Sequence, residues 1–262
     1  MPERSSYAHG VPSWVDVASP DVDASAAFYG GLFGWEHVTG ENPEQTGGYG
    51  LFTKNERVVA GIGPLQNPEQ PPVWSTYVNV DDADDVVAKA QEAGGQIALG
   101  PIDVLDAGRM AFLIDTTGGI VGIWQAGKHH GAELVSEAGA LGWNELTTRD
   151  TDAAKDFYGA VFGWEPAPWE GSELPYTIWK VDGHGVCGMI EMDENWPQEM
   201  PSHWMTYFIV EDADDAAATA QELGGTVPVP PFDAAGVGRI TVLNDPHGTA
   251  FSVLAPEPPP EQ

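Results

Sequence analysis

Basic residues are scarce in this chain of 262 residues. Lys and Arg together number 10, Asp and Glu number 40, and the formal net charge is −30. A polyanion of this size repels phosphate backbones and acidic lipid headgroups, which argues against nucleic-acid and membrane-surface partners. The charge itself indicates solubility or adaptation to salt.

Cysteine, long apolar runs and phosphate-binding loops are also missing. Cys187 is the single cysteine, which excludes an intrachain disulfide and a Cys-based zinc or iron–sulfur site. No apolar run is long enough to span a bilayer, and the opening MPERSSYAHG has no apolar h-region, so we expect a cytoplasmic protein. Neither G-x-x-x-x-G-K-[ST] nor a helix-opening G-x-G-x-x-G occurs, which disfavours nucleotide-dependent chemistry.

The strongest feature that is present is an internal repeat. WVDVASPDVDASAAFYGGLFGWE over residues 14–36 aligns without a gap with WNELTTRDTDAAKDFYGAVFGWE over 143–165, at an offset of 129. A second pair of matching segments, 74–95 and 204–225, follows at an offset of 130. Self-similarity over this length indicates a duplicated structural unit.

The repeat sets the expected domain organisation. We expect one module over residues 11–126 and a second over 140–256. The segment 127–139, rich in Gly, Ala and Glu, is interpreted as a linker in which His129 and His130 are exposed. The Pro-rich end of the chain, 257–262, is expected to be frayed.

Each module divides again into two similar halves. Residues 14–19 predict a strand, Asp21 is placed to cap a helix over 22–33, and Gly34 is placed to end that helix. Short strands follow, and the same order begins again with a strand over 73–80. The order βαβββ therefore occurs four times. It predicts an α+β fold of two curled, mostly antiparallel sheets with helices outside.

Two motifs connect this pattern to a known family. The signature F-Y-x-x-x-F-G-W begins at Phe28 and at Phe157, and Asp245-Pro246-His247-Gly248 forms a D-P-x-G turn before the last strand. These motifs resemble the vicinal oxygen chelate superfamily, which includes glyoxalases, extradiol dioxygenases and bleomycin-resistance proteins. The duplicated chain is similar to tandem, two-module actinobacterial members of glyoxalase-like type. Because this superfamily hosts many chemistries, the resemblance is specific for the fold and weak for activity.

The resemblance also implies where a metal would bind. In the family's metalloenzymes, each sheet curls into a cup that holds a metal through His, Gln or Glu on its first, fifth and last strands. The matching positions here are Trp14, Ser75 and Gly122 in the first module, and Trp143, Met205 and Ser252 in the second. None of them is a competent ligand for a divalent ion, so we expect no metal and no other cofactor. A divalent metal at an off-pattern site formed by Glu145 and His203 is the alternative.

Strand alternation predicts which side chains line each cup. The expected ligand-binding residues are Trp14, Asp16, Tyr77, Asn79 and Trp124 in the first cup, and Trp143, Glu145, His203, Met205 and Tyr207 in the second. Such an aromatic lining with a few polar groups suits a flat, largely apolar organic molecule. Alternatively, these aromatic side chains belong to the hydrophobic core and fill the cups themselves.

Two carboxylates and two arginines recur at equivalent places in the repeat. Asp16 and Glu145 each follow a Trp by two residues, and a carboxylate in a half-dry cup can act as a general base because its pKa is raised. Each carboxylate can instead bind a ligand hydroxyl or accept structural hydrogen bonds. Arg109 and Arg239 are expected to pair with acidic neighbours.

These features favour metal-independent binding of a small, planar aromatic molecule, of sequestration or resistance type. The alternative is an enzyme: a glyoxalase-like lyase or isomerase, or a natural-product tailoring enzyme, with Asp16 or Glu145 as general base. A stress-related protein that has lost its ligand is a third interpretation. The expected partner is a small molecule, with neither nucleic acid nor membrane, and the chain is expected to be a monomer or a homodimer.

Overall fold

The computed structural model of the chain describes residues 3–40, 43–170 and 175–257. Of the predicted frayed tail, 257–262, residues 258–262 lie outside these ranges, and the Glu257 amide donates to the Val237 carbonyl at 3.1 Å. The first half of the described chain contains β1 (Pro12–Ser19), α1 (Val22–Phe33), β2 (Glu36–Thr39), α2 (Pro43–Thr46), β3 (Gly50–Lys54), β4 (Arg57–Pro64), β5 (Val73–Asn79), α3 (Ala83–Glu92), β6 (Gln96–Val104), β7 (Gly108–Ile114) and β8 (Ile120–Ala126).

The second half repeats this order without a counterpart of α2 in the described residues. Its elements are β9 (Leu141–Thr148), α4 (Thr151–Phe162), β10 (Glu165–Pro168), β11 (Tyr176–Val181), β12 (His184–Glu191), β13 (His203–Ile209), α5 (Ala213–Glu222), β14 (Thr226–Ala234), β15 (Gly238–Asn244) and β16 (Ala250–Pro256).

Each half forms one eight-stranded sheet with the same topology. The strand orders are β2-β3-β4-β1-β5-β8-β7-β6 and β10-β11-β12-β9-β13-β16-β15-β14. In the first sheet β1 pairs in parallel with β4, and β5 with β8, while the other neighbours are antiparallel. The prediction of an α+β fold with two mostly antiparallel sheets is confirmed.

Local capping explains where the first helix of each module begins and ends. The Asp21 side chain accepts a hydrogen bond from the Ala24 amide at 3.0 Å, which satisfies a free N–H of the first turn. Gly34 adopts a left-handed conformation, φ 71°, and its N–H donates to the carbonyl of Gly30. Asp150 and Gly163 play the same roles for α4.

The helices lie outside the cups, and they pack against the other module. The Phe33 ring on α1 lies 5.0 Å from the Phe208 ring on β13, between centroids, and Phe28 lies 6.2 Å from Phe251 on β16. The Phe157 ring on α4 fills the place of a Cβ at Gly95, which follows α3 in the first module. The two cores are therefore shared between the modules.

Reciprocal hydrogen bonds reinforce this shared core. The Tyr29 hydroxyl donates to Oδ2 of Asp245 at 3.1 Å, and the Tyr158 hydroxyl donates to Oδ2 of Asp115 at 2.6 Å. All four groups are buried. The indole N–H groups of the F-G-W motifs also cross between modules, because Trp35 donates to the Gly139 carbonyl and Trp164 donates to the Gly10 carbonyl. Each signature motif thus holds the chain just before the other module's first strand.

The segment that joins the modules is packed along the first sheet. Ala132 and Leu134 are buried in the first hydrophobic core. The Ala132 amide donates to the Ser13 carbonyl at 2.8 Å, and the Glu133 amide donates to the Val58 carbonyl at 2.7 Å. These bonds place the segment beside the N-terminal ends of β1 and β4.

No helix within the three described ranges is long and apolar enough to cross a membrane.

The cross-module hydrogen bonds predict a stability cost. Tyr158→Phe removes the donor to Asp115 and the acceptor of the Trp204 indole N–H. We expect the free energy of unfolding to fall by about 1–3 kcal/mol, because buried polar groups lose their partners. Urea denaturation measures the change, and Tyr29→Phe is the matched variant on the other side. An unchanged free energy of unfolding in both variants would contradict a stabilising role for the reciprocal tyrosine–aspartate hydrogen bonds.

Candidate functional site

A tyrosine–carboxylate cluster forms the floor of the first cup. The hydroxyls of Tyr49 and Tyr77 both donate to Oδ2 of Asp16, each at 3.0 Å. The indole N–H of Trp14 donates to the Tyr49 hydroxyl at 3.1 Å. The strands supply this geometry, because Trp14 and Asp16 on β1 lie opposite Tyr77 and Ser75 on β5.

The second cup contains the same cluster with glutamate in place of aspartate. The Tyr207 hydroxyl donates to Oε1 of Glu145 at 2.8 Å. The indole N–H of Trp143 donates to the Tyr176 hydroxyl at 2.9 Å. Trp143 and Glu145 lie opposite Tyr207 and Met205 across β9 and β13. Both cups therefore present a Trp–Tyr–carboxylate–Tyr arrangement.

Two glycines make room for the tyrosines that cross the floor. A Cβ at Gly61 would lie within 1.9 Å of the Tyr49 hydroxyl oxygen, and a Cβ at Gly188 would lie within 1.8 Å of the Tyr176 hydroxyl oxygen. No side chain fits at either position while the tyrosine keeps its place. The fourth strand of each module thus allows the ring to approach the carboxylate.

Burial raises the pKa of both floor carboxyls. The pKa of Asp16 rises from 3.8 to about 6, because desolvation outweighs the hydrogen bonds from Tyr77, Tyr49 and Ser75 that favour the anion. The pKa of Glu145 is raised for the same reason, against hydrogen bonds from Tyr176 and Tyr207. A raised pKa brings a carboxyl closer to the neutral range, which suits a general base.

The two cups differ in how far their aromatics reach solvent. Trp14 is 3% exposed and Trp124 is 5% exposed. In the second cup Trp143, Tyr176, Met205 and Tyr207 are all partly exposed, over the buried Glu145. Tyr49 and Asp16 of the first cup are partly exposed as well, so the two cups differ in the exposure of Trp143 and Tyr207 compared with Trp14 and Tyr77.

His129 covers the first cup, which corrects the expectation that it is exposed. Its ring packs edge-on against Trp14 with 4.3 Å between centroids, and lies 5.6 Å from Trp124. Nε2 is buried and has no hydrogen-bond partner in the described chain. Burial lowers the pKa of His129 to about 4. The neighbouring His130 is exposed, as expected.

Three other predicted site residues have contacts of their own. The Asn79 amide donates to the carbonyls of Tyr7 and Ala8, so it holds the N-terminal segment. Nδ1 of His203 lies 3.0 Å from the Pro201 carbonyl oxygen, and His203 pairs with Thr147 two positions from Glu145. The Trp124 indole N–H donates to the His129 carbonyl at 2.8 Å.

Tyr49 and Tyr176 belong to the cup floors but are not among the site residues predicted from the sequence. Neither lies on the strands used to define the cups, since Tyr49 precedes β3 and Tyr176 begins β11. A signal for them exists in the repeat: Tyr49 and Tyr176 are 127 positions apart, close to the 129 of Trp14 and Trp143. Extending the alignment into the third strands would have found both.

The positions that correspond to the family's metal ligands do not fit a divalent ion. Trp14 on β1 and Gly122 on β8 lie on either side of Tyr77 on β5, while Ser75, the expected fifth-strand position, lies opposite Asp16. The Tyr77 ring occupies the space beside Gly122, where a Cβ would lie 2.3 Å from Cδ1. Among the residues that the structure describes, no three His, Cys, Asp or Glu side chains are grouped for a metal. The Trp14 indole and Gly122 offer no metal-binding side chain, and the Tyr77 hydroxyl donates to Asp16.

Two surface hollows lie away from both cups. One, of about 380 Å³, is bordered by Arg57 and Glu137, and the other, of about 240 Å³, by Asp233 and Arg239. Arg239 is paired with Asp233 and Asp214, as Arg109 is with Asp103 and Asp84. The expected acidic pairing of the two arginines is thus observed.

Comparison with known families agrees with this architecture. Residues 12–122 match the Glyoxalase/Bleomycin resistance protein/Dioxygenase superfamily, and residues 144–254 match the Glyoxalase-like domain. The chain belongs to this superfamily. Its two matches fall on the two sheets described above, which confirms tandem vicinal oxygen chelate modules.

Two relatives match this chain over nearly its whole length. The chain is 44% identical to "Putative glyoxylase CFP32" of Mycobacterium tuberculosis, over 98% of this chain and 99% of the relative. It is 37% identical to "Anthracycline biosynthesis protein DnrV" of Streptomyces peucetius, over 95% of this chain and 94% of the relative.

Solved structures in the superfamily share the fold at low sequence identity. The Mn(II)-bound glyoxalase from Novosphingobium aromaticivorans matches with a TM-score of 0.62 at 15% identity, over 94% of this chain and 83% of its own. The 2,3-dioxygenase LapB from Pseudomonas sp. KL28 matches with a TM-score of 0.64 at 14% identity, over 94% and 92%.

The raised pKa of Asp16 predicts a pH-dependent stability. Between its unfolded value of 3.8 and its folded value of about 6, the folded chain binds more protons, so stability falls as pH rises through this window. Asp16→Asn cannot ionise. The difference in free energy of unfolding between Asp16→Asn and the wild type should therefore change in favour of the variant by about 2–3 kcal/mol between about pH 4 and pH 7. Urea denaturation at both pH values measures the gain.

The exposed carboxyl of Glu92 on α3 provides the control for this measurement. Glu92→Gln removes a surface carboxyl away from the cup and is measured at the same two pH values for comparison. A pH-independent difference between Asp16→Asn and the wild type would show that the Asp16 carboxyl is not desolvated.

Proposed function

We propose that the protein binds a small, planar aromatic molecule in its second cup without a resident metal, as a sequestration or resistance type of binding protein. The observation that carries this proposal is the partly exposed Trp143–Tyr176–Tyr207 surface over the buried Glu145 carboxylate. Indole and phenol faces stack on flat rings, and the carboxylate can orient a ligand hydroxyl.

The polar groups of this cup favour a ligand that carries a hydroxyl. Glu145 is 8% exposed and has Tyr207 as a hydrogen-bond donor. A carboxylate accepts several hydrogen bonds, so one from a ligand can be added to that of the tyrosine. The cup then discriminates between ligands by this hydroxyl. An analogue without the hydroxyl excludes water from the carboxylate and supplies no hydrogen bond in its place.

The relatives support an aromatic ligand. A relative that matches nearly the whole chain is named an anthracycline biosynthesis protein. An anthracycline contains fused planar rings with phenolic hydroxyls, the combination that an aromatic cup with a carboxylate floor can hold. We therefore propose a polycyclic or quinone-like compound as the ligand class.

The proposal of metal independence leads to an analytical prediction. Trp14 and Gly122, and Trp143 and Ser252, offer no ligand set at the positions used by the family's metalloenzymes. Elemental analysis of the purified protein should give well below one Zn, Ni, Fe or Mn per chain, and chelators should leave Tm unchanged. About one tightly held metal per chain would overturn this part, and Glu145 and His203 would be the first residues to substitute.

Binding is predicted to quench tryptophan fluorescence. A planar hydroxyquinone should quench it saturably, and Trp143→Ala should weaken binding about tenfold or more. Loss of indole stacking and of buried area costs at least about 1.4 kcal/mol, which is one decade in Kd. The matched control is Trp14→Phe, because Trp14 is buried beneath His129 and should not contribute. A folded Trp143→Ala protein with unchanged affinity would remove the second cup from the proposal.

An enzyme is the second candidate function, and the raised pKa values of Asp16 and Glu145 favour it. Either carboxylate would then act as general base in a glyoxalase-like lyase or isomerase reaction, or in the tailoring of an aromatic product. If no aromatic probe binds while a ketoaldehyde–thiol adduct is converted, this function replaces the first. Loss of turnover in Glu145→Gln or Asp16→Asn would then identify the cup that is active.

A further inference from the structure

The first cup has the floor of a binding site, but a ring of the chain itself lies over it. Trp14, Tyr49, Asp16 and Tyr77 reproduce the cluster of the second cup. The His129 imidazole packs against Trp14 at 4.3 Å, edge to face, which is a favourable arrangement for aromatic pairs. In the second module Trp143, the equivalent residue, is partly exposed.

The backbone on both sides of His129 is anchored independently of its ring. The amides of Gly127 and His129 donate to the Ala107 carbonyl at 2.8 and 3.0 Å. The His129 carbonyl accepts from the Trp124 indole N–H, and Ala132 is bonded to Ser13. Removal of the imidazole therefore leaves a framework that still surrounds the space.

The imidazole in this space behaves as a neutral, bound ring. Its Nε2 is buried without a hydrogen-bond partner in the described residues. Burial disfavours the charged form and lowers the pKa of His129 to about 4.

We propose that the first cup is a binding site for a neutral, imidazole-sized heteroaromatic ring, and that His129 is its resident intramolecular occupant. Trp14 and Trp124 form the walls of this site, and the linker supplies the ring. This inference rests on the contacts of the first cup and does not depend on the function proposed for the second.

Chemical rescue tests the proposal. His129→Ala should open a hole beside Trp14 that free imidazole fills at pH 8, where imidazole is neutral. The variant should have a lower Tm than the wild type. Millimolar imidazole should raise the Tm of the variant saturably, by at least about 3 °C, since a ligand that binds only the folded chain stabilises it. The fluorescence of Trp14 should change over the same concentration range.

Two variants serve as controls. His130→Ala removes the exposed neighbouring imidazole and should show no response to imidazole. His129→Leu keeps the hole filled and should fold without responding. If His129→Ala folds only when imidazole is present, that result also supports the proposal.

Three outcomes would overturn the proposal. The first is a Tm of His129→Ala equal to that of the wild type. The second is an imidazole response that is the same in the wild type and the variant. The third is failure of His129→Ala to fold in both the absence and the presence of imidazole, because a cup that binds imidazole should restore folding of the variant. None of these outcomes bears on binding at Trp143, so the two proposals fail separately.

Discussion

The hydrogen bond between a helix tyrosine of one module and the buried aspartate of the other is the constraint on which the structure depends. Tyr29 reaches Asp245, and Tyr158 reaches Asp115. The other oxygen of each aspartate accepts amides of the turn before the module's last strand. One carboxylate thus shapes a turn and joins two modules. The sheets are joined through their helical sides, and the Trp–Tyr–carboxylate clusters lie on the opposite faces of the sheets.

Duplication gave two cups with the same floor and different surroundings. The carboxylate, the two tyrosines and the tryptophan recur, and so do the glycines that admit the crossing tyrosine. The linker exists once, however, and it packs along the first sheet. That single segment buries Trp14 and leaves Trp143 partly exposed. Placement of the linker therefore gives two similar floors a different exposure to solvent.

The floor of the first cup combines an aromatic ring, a glycine and a hydrogen-bonded carboxylate. At Gly122 the last strand offers no side chain, and the Tyr77 ring occupies the space. The tyrosine hydroxyl then donates to Asp16. A ring and a glycine therefore lie side by side here, and the polar group next to them is a hydrogen-bonded carboxylate with a raised pKa. We expect recognition of organic groups here to rely on stacking and hydrogen bonding.

The sequence alone determined the duplication, the order βαβββ and the helix ends, because these depend on local spacing and on short-range capping at residues such as Asp21 and Gly34. Alternation along β1 and β5 was enough to place Asp16 and Tyr77 on one face. The tertiary structure decided that Tyr49 and Tyr176 cross the floors, that the helices pack on the opposite module, and that His129 covers the first cup. Each of these contacts joins residues more than 30 positions apart, and no local rule of spacing records which distant surfaces meet when the two sheets pack together.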